Sequence, residues 1–313
     1  MVEINIMRIL ALDIGGSKMM AAVAVVEERE TGNTCTIDEV AKTRLKPNCT
    51  QSELLEEISN LLAELAPLGE FESVGVNVPG LTDPEKGVWV FAPFSGIQNV
   101  PIAQIVGEMS GCRTVAIEND VNACAIAEKL FGICRDVNDF LWITVSNGIG
   151  GGLVLGGDIY RGHFGNAGEI GHFNMVENGE PCGCGNFGCL EAEAAGPAIA
   201  RRFRQIKGTQ FELEAVEIAD LARHGDPDAI AAFDTTGFFL GKAAAYAANL
   251  TNPEKIVIGG GVSGAFDLIE PKINEAFSRF AFQAASKNVS IEKTALGYEA
   301  ALVGAAAVGF KYR

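Results

Sequence analysis

Histidine and tryptophan are scarce in this chain, with three and two copies in 313 residues. Positive charge is short as well. Lys and Arg number 24 against 40 Asp and Glu, a net charge of -16. That balance argues against tight binding to a nucleic-acid backbone, and the one basic cluster, "ARRFRQIK", reads as a solvated helix face. No apolar run reaches the roughly 18 residues that would cross a bilayer. The amino terminus, "MVEINIMRILALDIGG", has no basic region, long apolar core or small-residue cleavage site, so it does not read as a signal peptide. The expectation is a cytoplasmic protein with no membrane or nucleic-acid partner, its thiols kept reduced. Two familiar phosphate loops are also missing. "DIGGSK" is not G-x-x-x-x-G-K-[ST], and no strand leads through G-x-G-x-x-G into a helix, which disfavours a P-loop NTPase and a Rossmann dehydrogenase.

What is present points to an α/β protein in two lobes. The length is large for one core, and 48% of the residues are hydrophobic, as in an ordinary globular chain. "RILALDI", the turn "GGSK" and "MMAAVAVV" read as a β-hairpin, and "TCTIDEVAKTRLK" as a third strand. In "TQSELLEEISNLLAELAPL", Leu54, Leu55, Ile58, Leu61, Leu62 and Leu65 follow helical spacing behind a capping box of Thr50 and Glu53. "SVGVNVPG", a helix near "IAQIVGEMSG" and "TVAIEN" complete a β-β-β-α-β-α-β lobe. The order then restarts with "FLWITV", "SNGIGGG" and "LVLGG", and later "KIVIGGG". A repeated order suggests duplicated lobes with a cleft between them. Two glycine hairpins could present backbone N–H groups to a polyphosphate, although either one alone is equally a plain turn.

Five of the eight cysteines (Cys35, Cys49, Cys112, Cys124 and Cys134) are scattered singly and read as small buried hydrophobes. The other three collect in "GHFNMVENGEPCGCGNFGC". His172, Cys182, Cys184 and Cys189 form H-x9-C-x-C-x4-C, matching the Cys3His ligand set of a closed, structural zinc site. The alternative is loop cysteines that are free or disulfide-bonded. Glu169 and Glu191 flank this segment, either as partners of the metal ligands and solvated acids or as rigid acceptors for the hydroxyls of a polyol. In "AIENDVNACAIAEKLFG", Glu118, Asn119 and Asp120 stand where a strand passes into a helix. Asp120 there is either the helix N-cap or a carboxylate at a strand's carboxyl end that takes a proton from an attacking hydroxyl.

Together "DIGGSK", "GVNVPGLTD", "ENDVNA", "GIGGG", "GEIGH", "CGCGNFGCLE" and "IVIGGGVS", in that order, resemble the ROK family (repressors, open reading frames and sugar kinases). The resemblance implies two duplicated actin/hexokinase-like (ribonuclease H-like) lobes: 1–119 with 298–313, and 120–297 carrying the zinc loop. It implies ATP, with Mg²⁺, held by Asp13, Gly15, Gly16, Ser17 and Lys18 and by Gly148, Ile149 and Gly150, with Gly259, Gly260 and Gly261 beside the adenosine. Asp120 becomes the general base, and Gly80, Asn119, Glu169, His172 and Glu191 bind the sugar. The alanine-rich "GYEAALVGAAAVGF" returns to pack on the first lobe, and a homodimer or homotetramer is implied. Two departures stand out. Ser146 and Asn147 replace a Gly-Thr pair, Asn147 offering its amide to a phosphate, and Pro93 and Ile97 fall where related glucokinases carry Asn and Trp. The leading expectation is an ATP-dependent kinase acting on the 6-hydroxyl of a hexose, glucose first and N-acetylmannosamine second. The alternatives of another class are a ROK repressor, whose DNA-binding domain the reading does not expect ahead of Asp13, and a non-catalytic sugar sensor.

Overall fold

A computed structural model describes residues 5–313. By internal contacts it divides into two compact units. The first comprises the chain through Asp136 with Asp158–Ala167 and Ala295–Arg313, and the second comprises Val137–Gly157 with Gly168–Thr294.

The first unit is built on a five-stranded sheet. Its strands are β1 (Asn5–Ile14), β2 (Lys18–Glu28), β3 (Thr34–Arg44), β4 (Ser73–Val78) and, after three short strands, β8 (Val115–Asn119). They lie in the order β3-β2-β1-β4-β8, with β1, β2 and β3 antiparallel and β4 and β8 parallel to β1. Helix α1 (Gln51–Leu65) starts at the expected capping box, with Thr50 accepting from Glu53 N and Glu53 reaching back to Thr50 N. Its buried stripe is Leu54, Ile58, Leu61, Leu62 and Leu65, and burial of each such side chain stabilises by about 1.5–3 kcal/mol.

Side chains alternate along a strand, and β4 uses both faces differently. Val74, Val76 and Val78 join the core beneath α1. Ser73, Gly75 and Asn77 meet the C-terminal helix, Ala300–Lys311, which packs on this unit. Ser73 Oγ donates to Gly309 O (2.9 Å) and Asn77 Nδ2 to Ala301 O (2.6 Å). At Gly75 a Cβ would fall 1.8 Å from Ala305 O, so the helix backbone rests directly on the strand. The same helix runs along α3 (Asp120–Phe131), where Gly304 touches the backbone of Ala123 and Cys124. The sequence reading opens the second lobe at Asp120. By contacts α3 groups with the first unit, because this helix holds it there. A small antiparallel sheet of β5 (Leu81–Asp83), β6 (Val88–Phe91) and β7 (Gln98–Val100) also belongs to the first unit.

The second unit repeats the plan. Strands β9 (Phe140–Val145) and β10 (Ile149–Leu155) form an antiparallel hairpin. Strand Lys255–Gly259 runs parallel to β9, and Ser290–Lys293 parallel to it in turn. Among the described residues no helix is long and apolar enough to cross a membrane.

Candidate active site

In the first unit the candidate residues gather at the carboxyl ends of β1, β4 and β8. Asp13 lies opposite Asn77 in the parallel register of β1 and β4. Gly15, Gly16 and Ser17 make the hairpin turn, closed by Gly15 N donating to Lys18 O (2.9 Å). Gly16, Ser17 and Lys18 are exposed, whereas the Asp13 side chain is buried. Burial first, and then the charge of Asp120, push the Asp13 carboxyl up to about 7; Lys18 and a hydrogen bond with Asn77 oppose the rise. Two carboxylates and an ammonium thus stand close together beside an exposed glycine turn.

At the junction between β8 and α3 the helix cap is not Asp120. Asn119 is the cap: its Oδ1 accepts from Val121 N (3.0 Å) and Asn122 N (3.2 Å). Asp120 is the first residue of the helix instead. Its Oδ1 accepts from its neighbour's N–H, Val121 N (3.0 Å), and from Asn119 Nδ2 (3.1 Å). Asn119 Nδ2 also donates to Gly80 O (3.1 Å), tying the cap to the turn that follows β4. Gly80 has φ +85°, and a Cβ there would meet Phe91 O at 2.4 Å. Gly80, Asn119 and Asp120 therefore form one hydrogen-bonded set. Of the two positions that depart from the related glucokinases, Pro93 is exposed, while Ile97 is half-buried and packs against the core of this unit.

Two residues that sequence reasoning left unassigned support this junction. Glu118 is fully buried, and its Oε1 accepts from Asn119 N (3.0 Å) and Asn122 Nδ2 (3.2 Å). Its other oxygen pairs with Arg161, which also donates to Tyr312 OH (3.0 Å). Glu118 stood within the motif "ENDVNA"; Arg161 carried no local signal.

In the second unit the turn Ser146–Gly148 joins β9 to β10, with Ser146 N donating to Gly148 O (2.9 Å). Gly150 follows in β10. Ser146 and Asn147 are exposed, so the departure from Gly-Thr leaves two polar side chains at the turn. The glycine run Gly259–Gly261 approaches the same place. Gly260 has φ +81° and lies against Val145 O, while Gly261 comes nearest to Ser146 Oγ. Within this unit the second and third glycine motifs are thus neighbours, as nucleotide binding by both requires.

The His/Cys segment folds back on itself. Cys182 N donates to Asn186 O (2.8 Å), Gly185 N to Cys182 O (3.0 Å) and Gly188 N to Glu180 O (2.8 Å). These bonds bring together one donor atom each from His172, Cys182, Cys184 and Cys189, all within 4.8 Å of one another. Cys184 Sγ and Cys189 Sγ lie 3.7 Å apart, and Cys182 Sγ lies 3.8 Å from His172 Nδ1. A disulfide needs about 2.05 Å, so the sulfurs are unbonded thiols. Zn–S bonds of about 2.3 Å in a tetrahedron place ligand atoms roughly 3.8 Å apart. The cluster fits that group. The N–H of Asn186, then the neighbouring thiols, lower the Cys184 thiol to about 7, which favours the thiolate that a metal binds.

With Nδ1 turned to Cys182, His172 Nε2 faces Glu169 Oε2 at 3.8 Å. Glu169 is exposed. Glu191 is more committed than expected: its Oε2 accepts from Ile149 N (3.0 Å), and only Oε1, 3.9 Å from Cys182 Sγ, is left for another partner.

Comparison with known proteins agrees with these motifs. The ROK family profile matches residues 9–311. The chain belongs to the ROK family. Glucokinase of Streptomyces coelicolor is 32% identical over 314 residues, 95% of this chain and 96% of that one. A second ROK relative, the DNA-binding transcriptional dual regulator NagC of Escherichia coli, is 33% identical over 268 residues, 82% of this chain and 66% of NagC. Among solved structures, a ROK family glucokinase from Streptomyces griseus in complex with glucose and AMPPNP matches with a TM-score of 0.83. It is 31% identical, covering 97% of this chain and 99% of that one. The mixed α/β architecture is the ROK sugar-kinase fold.

Proposed function

We propose that this protein is an ATP-dependent hexose kinase that phosphorylates the 6-hydroxyl of glucose. The observation that carries the reading is the division of labour at the start of α3. Asn119 supplies the cap, which leaves Asp120 beside the buried Asp13 as a carboxylate that the helix does not need as its cap. In the proposed reaction Asp120 takes the proton of the sugar hydroxyl as its oxygen attacks the γ-phosphorus. The bond from that phosphorus to the bridging oxygen breaks and ADP leaves. Mg²⁺, entering with the nucleotide, supplies charge neutralisation at the phosphates. Asp13 would be the carboxylate for such a cation, since its burial and the nearby charge of Asp120 otherwise oppose its ionisation.

The remaining roles follow the family. Gly15, Gly16, Ser17 and Lys18, with Asn147, Gly148, Ile149 and Gly150, bind phosphates, and Gly259–Gly261 lie beside the adenosine. Gly80, Asn119, Glu169, His172 and Oε1 of Glu191 bind sugar hydroxyls. His172, Cys182, Cys184 and Cys189 hold a structural zinc whose closed ligand set leaves no position for water. The proposed setting is the cytoplasm, and the proposed assembly a homodimer or homotetramer.

The test is a coupled ADP-release assay over glucose, 2-deoxyglucose, N-acetylmannosamine, N-acetylglucosamine, fructose and allose. Glucose should give the highest kcat/KM, N-acetylmannosamine ranking next, and 2-deoxyglucose should lose efficiency because the acceptor that its 2-hydroxyl would engage is left unpaired beneath the bound sugar. ADP release with no sugar on the panel would turn the reading to a sugar-sensing body, the second reading, which the 33% identity with NagC supports.

A further inference from the structure

The turn Ser146–Ile149 is held from three directions by one stretch of chain, the segment that carries the His/Cys cluster. From one side Glu191 Oε2 accepts the N–H of Ile149 at 3.0 Å. Gly148 accommodates the same oxygen, because a Cβ there would lie 2.4 Å from it. From a second side Gly171 presses on Ile149 O; a Cβ at Gly171 would fall 1.9 Å from that carbonyl. Gly171 adjoins His172 in the chain. From the third, Gly196 N donates to Ser146 O (2.8 Å), one residue beyond Ala195, whose own N–H bonds Glu191 O (3.1 Å).

Glu191 is the centre of this arrangement. It sits in the first turn of helix Leu190–Ala194, for which Cys189 is the N-cap residue. Its Oε1 lies 3.9 Å from Cys182 Sγ. One carboxylate therefore touches the cluster with one oxygen and the turn with the other. The N–H it engages belongs to a residue of the turn that the kinase reading gives to the phosphates.

We infer that Glu191 is a positioning residue for the nucleotide, transmitting the order of the metal cluster to the Ser146–Ile149 turn, so that zinc and Mg·ADP bind cooperatively. This rests on the kinase reading and adds to it: the family role of Glu191 concerns the sugar, whereas the inference concerns a ligand bound with no sugar present. The physical basis is linkage. A group that orders a site ahead of its ligand raises affinity, and two ligands favouring one arrangement favour each other.

The experiment is calorimetric titration of Mg·ADP, without sugar, into the zinc-loaded wild type and three variants. Glu191→Ala removes the acceptor, and Glu191→Asp keeps the charge but withdraws it from Ile149 N. Both should weaken Mg·ADP by about tenfold or more, the range for a lost charge-assisted hydrogen bond. Glu191→Gln keeps an oxygen for that N–H and should bind within a few-fold of the wild type. Glu191→Asp carries the test if Glu191→Ala fails to fold. Each protein is then titrated again after chelation. The wild type should lose Mg·ADP affinity with its zinc and regain it on zinc addition, while Glu191→Ala, already uncoupled, should lose little more. Variants that bind Mg·ADP as the wild type does, or chelation that weakens all proteins equally, would overturn the inference alone. A wild type that binds no Mg·ADP would overturn the kinase reading and this inference with it.

Discussion

Replacing Asp13 with Asn should make the protein more stable, and increasingly so as the pH rises. The carboxyl titrates at about 7 in the fold against 3.8 ordinarily, with burial the largest cause and the charge of Asp120 the next. Because the folded pKa is raised, the stability this group contributes is complete below pH 3.8 and is lost as the pH climbs through 7. A tenfold difference in proton affinity between the folded and unfolded chain is worth about 1.36 kcal/mol. Between about pH 5 and pH 8 the expected loss from this one side chain is about 2–3 kcal/mol. Asn has the same shape and does not titrate, so Asp13→Asn escapes that loss. The assay is urea unfolding of both proteins at the two pH values, with nucleotide and divalent cations absent. The stability of Asp13→Asn relative to the wild type should rise by about 2–3 kcal/mol on going to the higher pH. Mg²⁺ with nucleotide should shrink the difference, since a nearby cation favours the ionised carboxylate. A difference between the two proteins that does not change with pH would refute the argument, and with it the placing of Asp13 and Asp120 as mutually opposed charges.

Other consequences are more local. Gly75→Ala places a methyl group 1.8 Å from Ala305 O; the strand or the C-terminal helix must shift, and thermal unfolding should show a loss of at least about 2 kcal/mol. Cys184→Ser should lower bound zinc from about one equivalent per chain to a trace by metal analysis, with a fall in sugar affinity, because His172 and Glu191 both belong to the cluster's surroundings. A metal-free preparation with full activity and an unchanged melting temperature would remove zinc from the account.

Most of the frame was legible because its signals are local. The α1 helix announced itself through Thr50, Glu53 and an apolar stripe, and the structure forms the capping box and buries the stripe apart from Leu55, which is half-buried. The glycine hairpins stood out by composition, and the His/Cys cluster by the rarity of histidine. Where reasoning from the sequence stopped, the missing information was register or distance. Asn119 and Asp120 are both good caps and adjacent, so a shift of one residue in the helix start exchanges their roles; only the observed bonds to Asn119 Oδ1 decide between them. Arg161 reaches Glu118 across 43 positions, and Glu191 reaches Ile149 across 42, which no pattern within a motif encodes. The strands β5 to β7 have three or four residues each, too few to show a period. Gly151 and Gly171 lie in "GIGGG" and "GEIGH", and what a Cβ at either would meet is distant backbone, Gly168 O and Ile149 O respectively, a closeness that composition does not encode.

The central claim is that Asp120 carries the proton transfer and Asn119 the cap. The most direct measurement is turnover by Asp120→Asn with glucose and Mg·ATP, set beside glucose affinity by calorimetry and the melting temperature of the same preparation. The account predicts a fall in kcat of ~10² or more, with glucose affinity and melting temperature close to those of the wild type. A variant that turns over at the wild-type rate, or one whose loss of turnover is matched by unfolding or by loss of glucose binding, contradicts it.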